Sequence, residues 1–231
     1  MDDGVPAALA ASHLARLSDP TRLRLLTRAH LVRVPAGCVL HREGETSEML
    51  ELVVTGLVRV FVTAPDGRSL TVRYARRGAL IGVATLYAPD FQLPVGVQAL
   101  VDGEVLRLSP DVVRRAAAAD PRVADVLLRE LADRTLSFIA EISDATFGTV
   151  RQKVARHLLD LASLEVTAGR GPPTVLTVRT TQRELADAVG SVREVVVRVL
   201  HDLREAGIID TRRDHIEVLD PERLSREHSG T

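Results

Sequence analysis

The chain has 231 residues, 45% hydrophobic and 26% charged, with 30 basic side chains against 31 acidic ones and a formal net charge of −1. That composition excludes an intrinsically disordered chain, which needs fewer apolar residues and a larger net charge. It also gives no bulk attraction to a polyanion, and no apolar run approaches the roughly 18–20 residues that a membrane-spanning helix needs.

The N-terminal Met1-Asp2-Asp3-Gly4 is acidic and lacks the basic start of a secretory signal, so a cytoplasmic protein that meets no membrane is expected. From Pro6 to about Arg28 the pattern predicts two short helices broken at Asp19-Pro20-Thr21. From Leu31 to Leu108 the apolar signal has period two, as at Val58, Val60 and Val62, at Leu70, Val72 and Tyr74, and at Val95, Val97, Ala99 and Val101. Turn residues punctuate it, and Asp66-Gly67 carries the strongest hairpin signal, since a type I′ turn needs positive φ at both centres. Many short strands with regular turns predict a closed antiparallel β-roll.

A helical pattern follows. Ser109 caps a short helix with Pro110 at its first position and Asp111 in its first turn. After Asp120-Pro121 a long helix runs to about Phe147, along which Leu128, Leu131, Thr135, Phe138, Ile142, Ala145 and, just beyond it, Thr149 recur at alternating gaps of three and four. Such a seam suits a homodimer interface, although packing on the chain's own roll needs only a similar stripe. Gly148 marks a hinge. A second domain opens with an amphipathic helix over Gln152–Glu165, then a Gly/Pro loop at Gly169–Pro173 and a strand at Val175–Val178.

Thr181–Gly190 and Ser191–Ala206 read as two helices about a glycine turn, each opening on a capping box (Thr181 with Glu184, Ser191 with Glu194). On the second helix, spacing turns Val192, Val196, Val199, Leu200 and Leu203 inward and leaves Glu194, Val197, Arg198 and His201 outward, with Arg193 beside them. Gly207–Asp210 and His215–Val218 form a two-stranded wing. The predicted fold class is α+β: an N-terminal β-roll, a long dimerisation helix and a C-terminal winged helix-turn-helix, divided at 1–120, 121–148 and 149–231.

The chain resembles the cyclic-AMP receptor protein/fumarate–nitrate regulator family of bacterial transcription factors. The resemblance rests on Pro35-x-Gly37, Gly44-Glu45, Gly56-x-Val58-Arg59-Val60 and Gly78…Gly82 in the roll. In the second domain it rests on Leu185-Ala186…Gly190-Ser191-x-Arg193-Glu194-x-Val196-x-Arg198. It implies a jelly roll of the cyclic-nucleotide-binding type and double-stranded DNA as partner. It also implies that Arg193, Glu194 and Arg198 read a TGTGA-type half-site, with Val197 and Ser191 beside them and Thr181, Gln182 and Arg183 on phosphates. Arginine can donate to guanine O6 and N7, and glutamate can accept from cytosine N4. Capping alone for Glu194, and phosphate contact for the two arginines, remain open.

In cyclic-nucleotide-binding relatives a Gly-Glu pair holds the ribose, an Arg-Ser or Arg-Thr pair holds the phosphate, and hydroxyls on the long helix meet adenine. Here those places fall on Gly82-Val83, Leu93-Pro94 and Phe138-Ile139. Since an unpaired phosphate in such surroundings is costly, cyclic AMP is not expected to bind in the usual way. An unknown small effector in an apolar or mixed pocket near Gly82, Val83, Leu86, Leu93 and Phe138, or no effector at all, is expected.

One cysteine, Cys38, excludes an internal disulfide and an iron–sulfur framework. Neither the isolated His13, His30 and His41 nor the His41-x-Glu43-x-Glu45 alternation points strongly to haem or metal, so no cofactor is expected. Scarce aromatics (Phe61, Phe91, Phe138, Phe147, Tyr74, Tyr87) argue against a stacking surface for single strands. No nucleophile–base pair or phosphate loop suggests an enzyme. A ligand-sensing module acting on a partner protein is the rival reading, and the Gly/Pro loop is a candidate contact for RNA polymerase.

Overall fold

The computed structural model describes residues 4–45, 50–63, 69–88, 94–167, 176–212 and 215–229; the side chains of 69–70, 140–147, 164, 166–167 and 229 also lie outside the description. The chain forms two compact units, Met1–Phe138 and Ile139–Thr231.

The first unit begins with α1 (Gly4–Ala10), a 3-10 turn (His13–Arg16) and α2 (Asp19–Leu25). Ser18 stands at the start of α2, so the break falls one residue before Asp19-Pro20 and Pro20 sits inside the first turn, where its missing N–H costs nothing. Among the described residues eight strands follow: β1 (His30–Val34), β2 (Val39–His41), β3 (Glu51–Thr55), β4 (Val58–Thr63), β5 (Ser69–Ala75), β6 (Leu80–Ile81), β7 (Gly96–Ala99) and β8 (Gly103–Arg107). They build two antiparallel four-stranded sheets, in the orders β1-β8-β3-β6 and β2-β7-β4-β5, which is the expected roll. Asp66-Gly67 lies outside the described residues; the strands flanking it pair through Thr63 and Ser69.

Strict alternation fails on β4. Arg59 is as buried as its apolar neighbours because β4 lies inside its sheet; its guanidinium donates to Gln98 at 2.9 Å and stacks 4.3 Å from the Phe61 ring. Glu51 on β3 is 1% exposed and meets Nε2 of His41 on β2, in the other sheet, at 3.2 Å and Nε of Arg107 on the neighbouring β8 at 2.8 Å. Burial pushes the Glu51 carboxyl up, but His41 and then Arg107 pull harder and hold it below its ordinary value.

Next come α3 (Pro110–Ala119) and α4 (Pro121–Phe147). Ser109 occupies the N-cap of α3, yet its hydroxyl makes no capping bond. The start of α4 is part of the first unit's core: Val123, Val126 and Leu127 pack with Leu14, Leu25, Leu52, Leu80, Leu86 and Leu106. This is why the first compact unit runs along α4 as far as Phe138.

The second unit holds α5 (Val150–Thr167), β9 (Leu176–Val178), α6 (Gln182–Ala188), α7 (Arg193–Glu205), β10 (Ile209–Thr211), β11 (Ile216–Val218) and α8 (Pro221–Ser229). The wing is three-stranded, β10-β11-β9. Helix α8 was not expected from the sequence; it packs against α5, and Glu227 pairs with Arg151 at 2.5 Å. Among the described residues no helix is long and apolar enough to cross a membrane.

Candidate nucleic-acid interface and effector cavity

The helix-turn-helix is closed by its glycine. Gly190 has φ +65°, a conformation that favours a residue without Cβ. Ser191 N–H returns to Ala186 O at 3.0 Å and ends α6. That bond commits Ser191 to the turn, so the N-cap of α7 falls one residue later than expected, on Val192, and there is no Ser191–Glu194 capping box. Val192 is correspondingly 61% exposed instead of inward. The other capping box forms, with Glu184 N–H on Thr181 Oγ1 at 3.2 Å and Thr181 N–H on the Glu184 carboxylate at 2.8 Å. The Thr181 backbone N–H, and then the Thr181 hydroxyl, hold the exposed Glu184 carboxyl below its ordinary value.

Helix α7 buries Val196, Val199, Leu200 and Leu203 and exposes Arg193, Glu194, Val197, Arg198 and His201, as the spacing predicts. Glu194 and Arg198 stand one turn apart on the outer face. Arg193 leans towards α6, where Nε and Nη2 donate long bonds of 3.4 and 3.2 Å to Gln182 Oε1. Beside it opens a cleft of about 730 Å³ lined by Thr181, Gln182, Arg183, Ser191 and Arg193, and by Arg212 and His215 of the wing. The structure thus gathers five of the expected contact residues at one cleft and leaves Glu194, Val197 and Arg198 on the neighbouring helix face. The expected contact set does not include Arg212 and His215; the Thr211-Arg212-Arg213-Asp214 run of charge is the sequence signal that falls there. Arg212 is anchored to Asp210 at 2.9 Å and Glu217 at 3.4 Å.

On α4 the exposed stripe keeps three of the expected seam residues and loses one. Leu128 (64% exposed) and Phe138 (52%) face outward, and Thr135 does too, while Leu131 packs inward; Leu136 (64%) and Ile139 (56%) join the stripe. Leu131 turns because the roll core claims that face of the helix. The side chains of Ile142 and Ala145 lie outside the described residues.

The roll holds a cavity of about 250 Å³ whose lining includes Gly82 and Val83. Gly82, at φ +90°, starts the 3-10 turn Val83–Leu86. Leu86 is instead 2% exposed in the roll core, and Phe138 is not among the lining residues; Leu93 lies outside the described residues. Pro94 lines the cavity and has no N–H or hydroxyl to offer a phosphate. The wall also carries three charged groups, Arg73 on β5 and Glu130 and Arg134 on α4, which the sequence spacing did not assemble.

Cys38 is half-buried in the turn before β2. His41 faces Glu51, and the described residues contain no cluster of three metal-type ligands.

Residues 31–120 match the cyclic nucleotide-binding domain model and residues 152–227 the Crp-like helix-turn-helix domain model. The chain is 32% identical over 188 residues to the transcriptional regulator LdrP of Thermus thermophilus, covering 81% of this chain and 91% of that protein. It is 28% identical over 219 residues to a CRP-like cAMP-activated global transcriptional regulator of Mycobacterium tuberculosis, covering 94% and 97%. Among solved structures it is similar to the Thermus thermophilus catabolite activator protein, at 27% identity and TM-score 0.51, covering 94% of this chain and 98% of that one.

Proposed function

The chain belongs to the cyclic-AMP receptor protein/fumarate–nitrate regulator family of DNA-binding transcription regulators and is not an enzyme; from that premise we propose that it works as a homodimer on a palindrome of TGTGA-like half-sites, without cyclic AMP in the usual phosphate pocket. The observation that carries this reading is the outward Arg193, Glu194 and Arg198 set on α7, above a core of buried valines and leucines. Arginine and glutamate at these places suit guanine and cytosine edges in a major groove. Thr181, Gln182, Arg183 and Ser191, with Arg212 from the wing, suit the flanking phosphates.

The exposed Leu128, Thr135, Leu136, Phe138 and Ile139 stripe supports pairing of two α4 helices, because a contiguous exposed apolar stripe on a helix is an interaction surface. Residues 1–120 then sense, 121–148 pair, and 149–231 bind DNA. Val83 and Pro94 at the cavity support the cyclic-AMP-independent reading, since neither replaces a carboxylate or a phosphate donor. RNA polymerase is the further partner this reading implies, and the cytoplasm its place.

The test is fluorescence anisotropy of the purified chain on a labelled palindrome of two TGTGA-type half-sites and on a scrambled duplex, with no ligand added. Tight binding to the palindrome alone is expected. Equal, weak binding to both duplexes would overturn the half-site assignment.

A further inference from the structure

The roll cavity contains a feature that its apolar walls do not call for. Glu130, on the buried side of α4, is 3% exposed. Its carboxylate pairs with Nη2 of Arg134, one turn on, and lies in the positive field of Arg73 from β5. On its other side Oε2 is 3.8 Å from Nε2 of His13, which itself meets Asp133 at 2.8 Å. Arg73 is held in place by a bond from Nη2 to Leu80 O at 3.1 Å. Glu130, Arg73 and Arg134 all line the cavity; apart from Thr85 the rest of its wall is glycine, alanine, proline and branched aliphatic side chains.

Burial raises the Glu130 carboxyl above its ordinary value, Arg73 and then His13 draw it back, and Asp133 adds to the rise. A buried carboxylate whose charge is this costly is not explained by packing, and such groups mark functional sites. What it does chemically follows from its position. Two guanidinium groups converging on a cavity are an anion subsite, because guanidinium forks match carboxylates and phosphates. In this chain a carboxylate of its own already stands there.

We propose that Glu130 is a tethered counter-ion: it fills the anion subsite of the roll cavity and so selects a small, uncharged, mainly apolar effector over an anionic one. The remaining volume of about 250 Å³ is below the roughly 300–1,000 Å³ of sites for drug-sized ligands, which keeps the effector small. This inference rests on the reading of the cavity as the effector site and not on the half-site reading.

The test uses a matched pair of probes, butyrate and butyramide, which share a carbon skeleton and differ in charge. Thermal melting of the full chain is followed with each at equal concentration and equal ionic strength, for the wild type, Glu130→Ala and Glu130→Gln. In the wild type butyrate is expected to raise the melting temperature no more than butyramide. In Glu130→Ala butyrate is expected to exceed butyramide by roughly 2–4 °C, the scale of a modest ligand effect in a chain of this size. Glu130→Gln removes the charge while keeping the volume, and serves if the alanine variant does not fold; the same preference, smaller, is expected. A wild type that prefers butyrate, or variants that do not, would overturn the proposal. Since no DNA is present, the outcome is independent of what α7 reads.

Discussion

Arg198→Ala isolates base reading from folding. Arg198 is exposed on the outer face of α7, one turn beyond Glu194, and alanine is the best helix former, so stability should change by no more than about 0.5 kcal/mol. A bidentate arginine–guanine contact discriminates by about 1–3 kcal/mol. A homodimer makes it twice, giving about 2–6 kcal/mol, or a loss of roughly 30- to 20,000-fold on the palindrome. On a scrambled duplex, where only phosphates are met, the loss should be far smaller. The assay is anisotropy on both duplexes at fixed salt, with a melting curve to show that the variant is folded. Arg183→Ala is the control: it should weaken both duplexes alike and lower the salt slope by about 2, close to one counter-ion per protomer. Equal losses on both duplexes for Arg198→Ala would refute base reading and make the residue another phosphate contact.

Three further outcomes are expected. Glu51→Gln breaks the buried contacts with His41 and Arg107 and should cost about 3 kcal/mol at pH 7, the low end for a buried pair because Arg107 is 41% exposed. The Glu51 carboxyl is held below its ordinary value in the folded state. Its stabilisation is therefore full above the ordinary carboxylate range and is lost as pH falls through the folded value, so urea melts of wild type and variant should converge towards pH 3; a constant gap would contradict this. Thr181→Ala removes the α6 cap and should destabilise by about 1 kcal/mol in thermal melts, and no change would show that the cap is not engaged in solution. Leu128→Arg places a charge on a side chain 64% exposed in the single chain; sedimentation should find monomers that are still folded, and an unchanged dimer would exclude this stripe from the interface.

Local signals carried most of the architecture. The period-two runs between Leu31 and Leu108, the Pro121 start and Phe147 end of α4, and the Thr181–Glu184 cap could all be read without tertiary information, because each depends on residues within a turn or two. Failures arose where a distant element decided. Leu131 belongs to a heptad seam by spacing, but the roll core takes its face of the helix. Arg59 alternates outward on β4, yet strands on both sides and Gln98 enclose it. Ser191 is a local exception: it has the side chain of a cap, but its backbone N–H is already spent on Ala186 O, five residues back, closing α6. The charged wall of the cavity was hidden by distance: Arg73 and Glu130 are 57 positions apart in sequence, and no spacing rule joins them.

The bonds from Arg193 to Gln182 have a consequence for how fast this surface can change its target. One edge of the guanidinium is tethered to the preceding helix, so the other edge is aimed before any DNA arrives and fewer side-chain rotations are frozen on contact, a saving of roughly 0.5–1.5 kcal/mol per such side chain. On the base reading proposed above, a change at Gln182 would therefore alter the sharpness of recognition without altering which atoms touch the bases. Lysine at 193 would keep the charge and lose the aim, because an ammonium has no second edge to tether. Drift in sequence preference can thus begin on α6, one helix away from the groove.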